Sequence, residues 1–277
     1  MPVINTNVNA LLAQQTSIKN SREMAGAMQQ LSSGSRISSA KDDAAGVAIG
    51  QSMTAQVKGL NQAIRNVNDG VNLLQTADGA LSEQANMLQR MRELAVQSSS
   101  GTYSDTQRGY LNTEFVALQA QIDKIASETT WNGYTLLTGS TGGTVAGTYS
   151  FQTGQASGQT IDVVIGAMTA AGLGVSSTNT IGTAITAAVT IARVDVAIGA
   201  LNSQRATLGS KINQLTYAGD NLSNISGNIQ ASRSTIMDTD YATASTQLSK
   251  TQIIQQAAIA MLAQANQQPQ SVLALLK

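Results

Sequence analysis

The chain has neither cysteine nor histidine. That removes thiolate nucleophiles, imidazole general bases, serine–histidine–aspartate triads and every cysteine- or histidine-based metal site. It also removes disulfides, so stability in an oxidising setting must come from packing alone. Aromatic residues make up only 3% of the 277 residues and charged residues only 12%. Aromatics normally supply much of a compact core, so one large globule is not expected. The 16 basic and 16 acidic residues cancel. Zero net charge favours association over mutual repulsion, and with no basic block it argues against a nucleic-acid partner. The N-terminal stretch MPVINTNVNA lacks the basic and apolar regions of a cleaved signal peptide. No uninterrupted run of 18 apolar residues occurs, so no membrane insertion is expected. No catalytic, cofactor or metal site is expected either.

What the chain does have is heptad periodicity. From about Ser39 to Val96, apolar residues fall at Val57, Leu60, Ile64, Val67, Val71 and Leu74, then at Leu81, Ala85, Leu88 and Ala95. These steps alternate three and four, the pattern of a coiled-coil seam. Asp78 and Arg92 stand where apolar side chains belong. A helix of ~45–50 residues is roughly 70 Å long, so it needs partners along its length. A second series, Val194, Leu201, Leu208, Leu215, Leu222, Ile229 and Ile236, keeps an interval of seven without a miss. Its companion row is poorer: Ile198 and Ile212 fit, whereas Arg205, Gly219, Ser226 and Arg233 do not. So narrow a seam suits one or two partner helices. The expected rod core comprises Ile64, Val71, Leu74, Leu201, Leu208, Leu215, Leu222 and Ile229.

Residues 1–35 read as a first helix, capped by Asn5 or Thr6, with a sparse stripe of Ile4, Val8, Leu11, Ile18, Ala25 and Met28. Such a helix is marginal alone; it is expected to order only against other copies. Ser32–Ser35 is a breaker, and Ser39 with Asp42 predicts a capping box opening the long helix. Gly101 closes that helix, and Ser104 with Gln107 opens another bearing Leu111, Phe115, Leu118, Ile122 and Ile125. Helices over 40–98, 105–127 and 190–236 then form one rod-like bundle. Trp131-Asn132-Gly133-Tyr134 carries a type I′ hairpin signal. Short β-like runs follow at Tyr134–Leu137, Thr148–Phe151 and Thr160–Ile165. Residues 139–147 and 172–183 are rich in Gly, Ser and Thr and read as exposed loops, their hydroxyls candidate glycosylation sites. Asp238 or Thr239 caps a final helix from Tyr241 to about Gln267, with Ala244, Leu248, Ile254, Ala258, Met261, Leu262 and Ala265 on its apolar side. Pro269 is expected to end it, ahead of the apolar stretch Val272–Leu276. A monomer exposing that face would aggregate, so the face is expected to meet other molecules. The fold class is mainly α: a long coiled-coil or helical-bundle rod formed by the N- and C-terminal halves, with a small central region containing a β-hairpin.

Several segments together resemble bacterial flagellin. They are Ile4-Asn5-Thr6-Asn7; Leu31-Ser32-Ser33-Gly34-Ser35-Arg36-Ile37 with Ala40-Lys41-Asp42-Asp43-Ala44-Ala45-Gly46; and Gln89-Arg90-Met91-Arg92-Glu93-Leu94-Ala95-Val96-Gln97. The C-terminal half adds Asn221-Leu222, Ser232-Arg233-Ser234, Asp238-Thr239-Asp240-Tyr241-Ala242 and Gln264-Ala265-Asn266-Gln267. The resemblance covers roughly residues 1–138 and 190–277, leaving no room for the family's large outer domains. It implies a division into 1–39 and 238–277 (two halves of a filament core domain), 40–138 and 190–237 (two halves of a rod domain), and 139–189 (a short surface region). It implies self-polymerisation into the extracellular flagellar filament used for motility, through terminal-helix positions Ile4, Val8, Leu11, Ile18, Leu248, Ile254, Met261 and Leu262. It further implies export unfolded through the flagellar type III channel without a cleaved signal peptide. The implied partners are the flagellar cap and hook-junction proteins and an export chaperone at the C-terminal helix. A host Toll-like receptor would contact Arg90, Leu94, Gln97 and Glu114, although Leu94 reads equally as a core residue and Arg90 and Glu114 as solvated charges. A hook–filament junction protein is an alternative in the same assembly, and a cytosolic coiled-coil scaffold one of a different class. An enzyme is disfavoured, since the metalloprotease inserted in some flagellins needs a His-Glu-x-x-His motif and the paired carboxylates here read as helix caps.

Overall fold

The computed structural model describes residues 6–139 and 147–274, with side chains described through residue 267. In chain order these form α1 (Val8–Ser33), α2 (Ala44–Ser99), α3 (Asp105–Glu128), β1 (Thr130–Trp131), β2 (Tyr134–Thr135), β3 (Thr148–Gln152), β4 (Thr160–Val164), α4 (Ala184–Met237) and α5 (Tyr241–Ala274). The fold is mainly α with a small central antiparallel β region, as the periodicity predicts. Expected loop residues 140–146, the predicted contact residue Ile4 and the last residues of the Val272–Leu276 stretch lie outside the described residues. The chain groups into two compact units. One is Lys58–Ser226; the other is the described part of Met1–Val57 with Gly227–Lys277. The sequence divisions at 39/40 and 237/238 follow chain breakers, whereas contacts assign the first turns of α2 and the last of α4 to the terminal unit. There Gly50 lies against Met237, whose sulfur would be 2.6 Å from an added Cβ, and Arg233 donates to the Thr54 hydroxyl at 3.3 Å.

Helices α3 and α5 start where the sequence places them and α4 six residues earlier, at Ala184, whereas three caps are shifted by one to four residues. Asn7 caps α1, its side-chain oxygen accepting from the Ala10 amide. Asp43 caps α2 by accepting from the Gly46 amide at 2.9 Å. The expected Ser39–Asp42 box is instead a turn upstream of the helix, with the Asp42 carboxylate accepting from the Ser38 and Ser39 amides and hydroxyls. Asp240, not Asp238 or Thr239, caps α5 through the Ala242 and Thr243 amides. Each position has an acidic or amide neighbour of equal capping strength, and tertiary packing selects among them. Ser104 and Gln107 form the predicted capping box of α3, and Gly34 closes α1 at φ 68°. The hairpin β1–β2 turns through Asn132 at φ 49° and Gly133 at φ 83°, as a type I′ turn requires.

In the central unit α2 and α4 run antiparallel. Arg92 meets Asp195 at 2.6 Å, Arg205 meets Asp78 at 2.8 Å, and Ser226 donates to Asn61 at 3.1 Å. On α4 the predicted row is buried from Val194 through Leu222, with Ile229 half-buried. On α2 the row Leu60, Val67, Leu74, Leu81, Leu88 and Ala95 is buried as expected, but of the predicted companion row only Ala85 is buried, with Val57 half-buried. The buried companions are Ala63, Gly70, Ala77, Gln84, Met91 and Ser98. Ile64 and Val71, expected in the core, are half-buried on its flank. The sequence reading followed side-chain size, whereas the seam needs small residues that let a partner approach. At Gly70 the ring of Phe151 from β3 comes within 2.9 Å of where a Cβ would stand. Asp78 and Arg92 are therefore not breaks in the seam. They lie beside it and pair with α4, Asp78 with Arg205, the residue that spoils the α4 companion row. Helix α4 also holds an 18-residue window of mean hydropathy 1.7, of which 28% is buried. Arg193 and Asp195 hide this stretch from a search for uninterrupted apolar runs. It is apolar enough to cross a membrane, but Val194 and Leu201 within the same helix are spent on the bundle core.

The expected exposed loop at 172–183 is a correction: residues 166–183 form an irregular strap whose Met168, Ala170, Leu173, Val175, Asn179 and Ile181 are buried. Buried irregular backbone needs side-chain partners, and the helices provide them. Gln119 donates to the carbonyls of Val175, Ser176 and Asn179 at 2.9–3.0 Å. Gln84 donates to Ile122 and Met168, Asp123 accepts from the Ala170 amide, and the Ser98 hydroxyl donates to Ile181. Arg108, also buried, donates to Ser100 and Tyr103 and fastens the α2–α3 connection. Gln119→Ala should cost about 2–4 kcal/mol, since buried carbonyls lose their donor and a cavity opens. Chemical denaturation would measure it; a loss under about 0.5 kcal/mol would show that the strap does not depend on Gln119.

Candidate functional site

In the terminal unit α1 and α5 pack against each other, antiparallel. Their join is tied by backbone and side-chain bonds. The Arg36 amide donates to the Met237 carbonyl at 2.7 Å, the Thr239 amide to Gly34 at 3.0 Å, and the Arg36 guanidinium to Ile236 at 2.6 Å. Beyond the join, the buried positions on this pair among the described residues are Asn20 and Ala27 of α1 and Ala244 and Thr251 of α5. The Asn20 amide donates to the Thr251 carbonyl at 2.8 Å and to Gln255 at 3.1 Å. Small and polar side chains thus occupy the inside.

Many of the large apolar side chains are outside. Of the sequence-predicted contact residues, Val8 (60% exposed), Leu11, Ile18 and Met261 (64%) are exposed, and Leu248, Ile254 and Leu262 are half-buried. Leu12, Met28, Ile253 and Ile259 are exposed too. Met28 lies on the predicted α1 stripe; Leu12, Ile253 and Ile259 lie off the one stripe per helix that the sequence shows. A groove of about 540 Å³ runs along the pair, lined by Asn9, Leu12, Ala13 and Thr16 of α1 and by Ile254, Ala258, Met261 and their neighbours on α5. Helix α5 does not stop at Pro269 but runs to Ala274. A proline removes the donor to the carbonyl four residues earlier. Here that carbonyl, on Ala265, accepts from the Asn7 side chain at 2.8 Å, so the helix continues with the gap filled.

Two carboxylates at the base of this unit sit below the usual range. Asp42 is lowered chiefly by the Ser39 hydroxyl bond, Asp240 chiefly by the Thr243 hydroxyl bond. Both are solvated, and Asp240 also lies at the positive end of α5.

On the central unit, Arg90 donates to Glu114 at 2.9 Å and to Glu93 at 3.0 Å. These bonds, Glu114 first, hold its guanidinium above the ordinary value. Gln97 is exposed and donates to the Tyr103 hydroxyl at 3.0 Å. Leu94, expected beside them as a contact residue, is fully buried. It supports this surface from beneath.

Long helices with heptad-spaced buried rows, and terminal helices that pair with apolar side chains exposed, are the architecture of a helical structural protein. Residues 4–141 match the bacterial flagellin N-terminal helical region and residues 191–276 the bacterial flagellin C-terminal helical region. A flagellin of Halalkalibacterium halodurans is 42% identical, spanning 99% of this chain and 100% of its own. A flagellar filament 33 kDa core protein of Treponema phagedenis is 41% identical, over 99% and 100%. Among solved structures, the crystal structure of Bacillus cereus flagellin matches with a TM-score of 0.50 at 34% identity, covering 57% of this chain and 88% of that one. The chain belongs to the bacterial flagellin family.

Proposed function

We propose that this flagellin assembles into the flagellar filament through the outer face of the α1–α5 pair. The chain is a structural subunit that polymerises with itself; neither a hook-junction role nor a cytosolic scaffold is favoured by the full-length similarity to flagellins. The observation that supports the assembly face is the inverted packing: Asn20, Ala27, Ala244 and Thr251 are buried while Val8, Leu12, Ile259 and Met261 are exposed. Leaving that much apolar surface in water is costly at ~25 cal/mol per Å², and neighbouring subunits would cover it. The exposed row Ile185, Val189 and Val196 on α4 is a second face for lateral contact in the central unit.

The subunit's place is the filament outside the cell, reached unfolded through the flagellar export channel without a cleaved signal. A chain with no disulfides has no cross-link to hinder that passage. Before export, the apolar side of 241–277 is the segment a chaperone would shield. The cap and hook-junction proteins would meet the same end helices at the filament's two limits. For a Toll-like receptor the available contacts are Arg90, Gln97 and Glu114, with Leu94 holding the helix surface in place. The central Ser and Thr hydroxyls remain candidate glycosylation sites.

Leu12→Asp and Met261→Asp test the assembly face, since both side chains are largely exposed in the subunit. Each is expected to slow seeded filament growth at least tenfold, followed by light scattering, with unchanged subunit helicity. Growth at the natural rate by both variants would remove this face from the assembly mechanism.

A further inference from the structure

The buried polar bonds between α1 and α5 do more than satisfy one another: we propose that Asn20 and Asn7 fix the register in which the two terminal helices pair. Asn20 is 4% exposed. Its amide reaches the Thr251 carbonyl and the Gln255 side chain, and Gln255 bridges on to the hydroxyls of Ser17 and Ser21. Asn7 donates to Ala265, the carbonyl whose helical donor Pro269 removes. Each asparagine therefore has a specific partner on α5.

The rest of the interface discriminates poorly. Along α5, Ala257, Ala258, Leu262 and Ala265 succeed one another, so a slide of one heptad exchanges small apolar residues for similar ones. The same slide is costly at the asparagines. Moved seven residues either way, the position now held by Gln255 becomes Leu262 or Leu248, and Asn20 loses its side-chain acceptor. A slide either way also takes Asn7 off the Ala265 carbonyl, the one carbonyl in that turn whose helical donor Pro269 removes. A buried amide left short of partners penalises every register but one, as a single core asparagine does in coiled coils. Asn20 and Asn7 are thus positioning residues. Pairing of the two ends, with or without polymerisation, carries this inference.

The natural chain has no cysteine, so introduced pairs report register without background. In the observed register position 13 lies near 258, and both line the same groove. Ala13→Cys with Ala258→Cys reads that register; Ala13→Cys with Ala265→Cys reads a one-heptad slide. Dilute full-length subunit is oxidised with diamide, and intrachain closure is followed by gel mobility. With Asn20 present, the first pair should close at least tenfold faster. In the Asn20→Leu background that preference should fall to threefold or less, with no loss of helicity and no lower melting temperature. Asn7→Ser, which keeps a capping oxygen but removes the amide donor, should also reduce the preference. A tenfold preference surviving both substitutions, or failure of the first pair to close with Asn20 present, would overturn the proposal. So would Asn20→Leu abolishing both closures together with helicity, which marks a merely structural role.

Discussion

Replacing Leu208 with aspartate should destabilise the central unit by about 3–5 kcal/mol. Leu208 has no exposed surface. It sits in the unbroken row of α4 between Arg205, which pairs with Asp78, and Gly219, which lies against Val67. The antiparallel register therefore sets it against the Val67–Asp78 stretch of α2, where the facing rows are apolar and small. The cation one turn away, Arg205, is already paired with Asp78, so a carboxylate there must either bury a charge without a partner of its own or open the bundle. Arg205→Leu is the internal control. Its ion pair is more than a third solvated, and exposed pairs contribute only about 0–1 kcal/mol. Denaturant melts of both variants would check the contrast. Equal, small losses would show that the α4 row is not the packed seam described here.

Removing residues 1–35 and 241–277 should leave the melting of the central unit within a few degrees of the intact chain, while the helical signal of the terminal pair disappears. The reason lies in where the buried side chains are. The largest fully buried ones, among them Phe115, Leu74, Leu88, Met91, Ile122, Leu136 and Leu201, all belong to Lys58–Ser226. The strap, the hairpins and α3 close on α2 and α4 within that same span. The terminal pair contributes alanines and hydrogen-bonded polar groups instead. Calorimetry and limited proteolysis would check this; collapse of the central transition on truncation would show that the two units are one cooperative block.

The long helices were legible because their apolar rows repeat at seven over many turns, and Leu201, Leu208 and Leu215 could hardly be read otherwise. The companion row on α2 was not, because alanine, glycine and serine at 63, 70, 77 and 98 carry no hydrophobic signal. Their role depends on what approaches them, and Phe151 arrives at Gly70 from 81 residues away in sequence. The strap was misread for a related reason. A Gly-, Ser- and Thr-rich composition describes a chain that cannot bury itself, but Gln84, Gln119 and Ser98 lie on other helices and provide its partners. The hairpin turn at Asn132-Gly133 was legible because a backbone requirement at two residues decides it. At the terminal pair the sequence shows apolar residues but not which way they face. That depends on Asn20 meeting Thr251, a contact across most of the chain. The reading of Pro269 as a stop failed on a single distant side chain, Asn7.

Negative-stain electron microscopy of seeded growth tests the central claim most directly. Purified full-length subunit and the chain lacking residues 1–35 and 241–277 are each offered the same filament fragments under conditions that keep the central unit folded. Long uniform filaments from the first and none from the second are the expected result. Filaments of equal length from both, or discrete particles from both, would contradict assembly through the paired terminal helices.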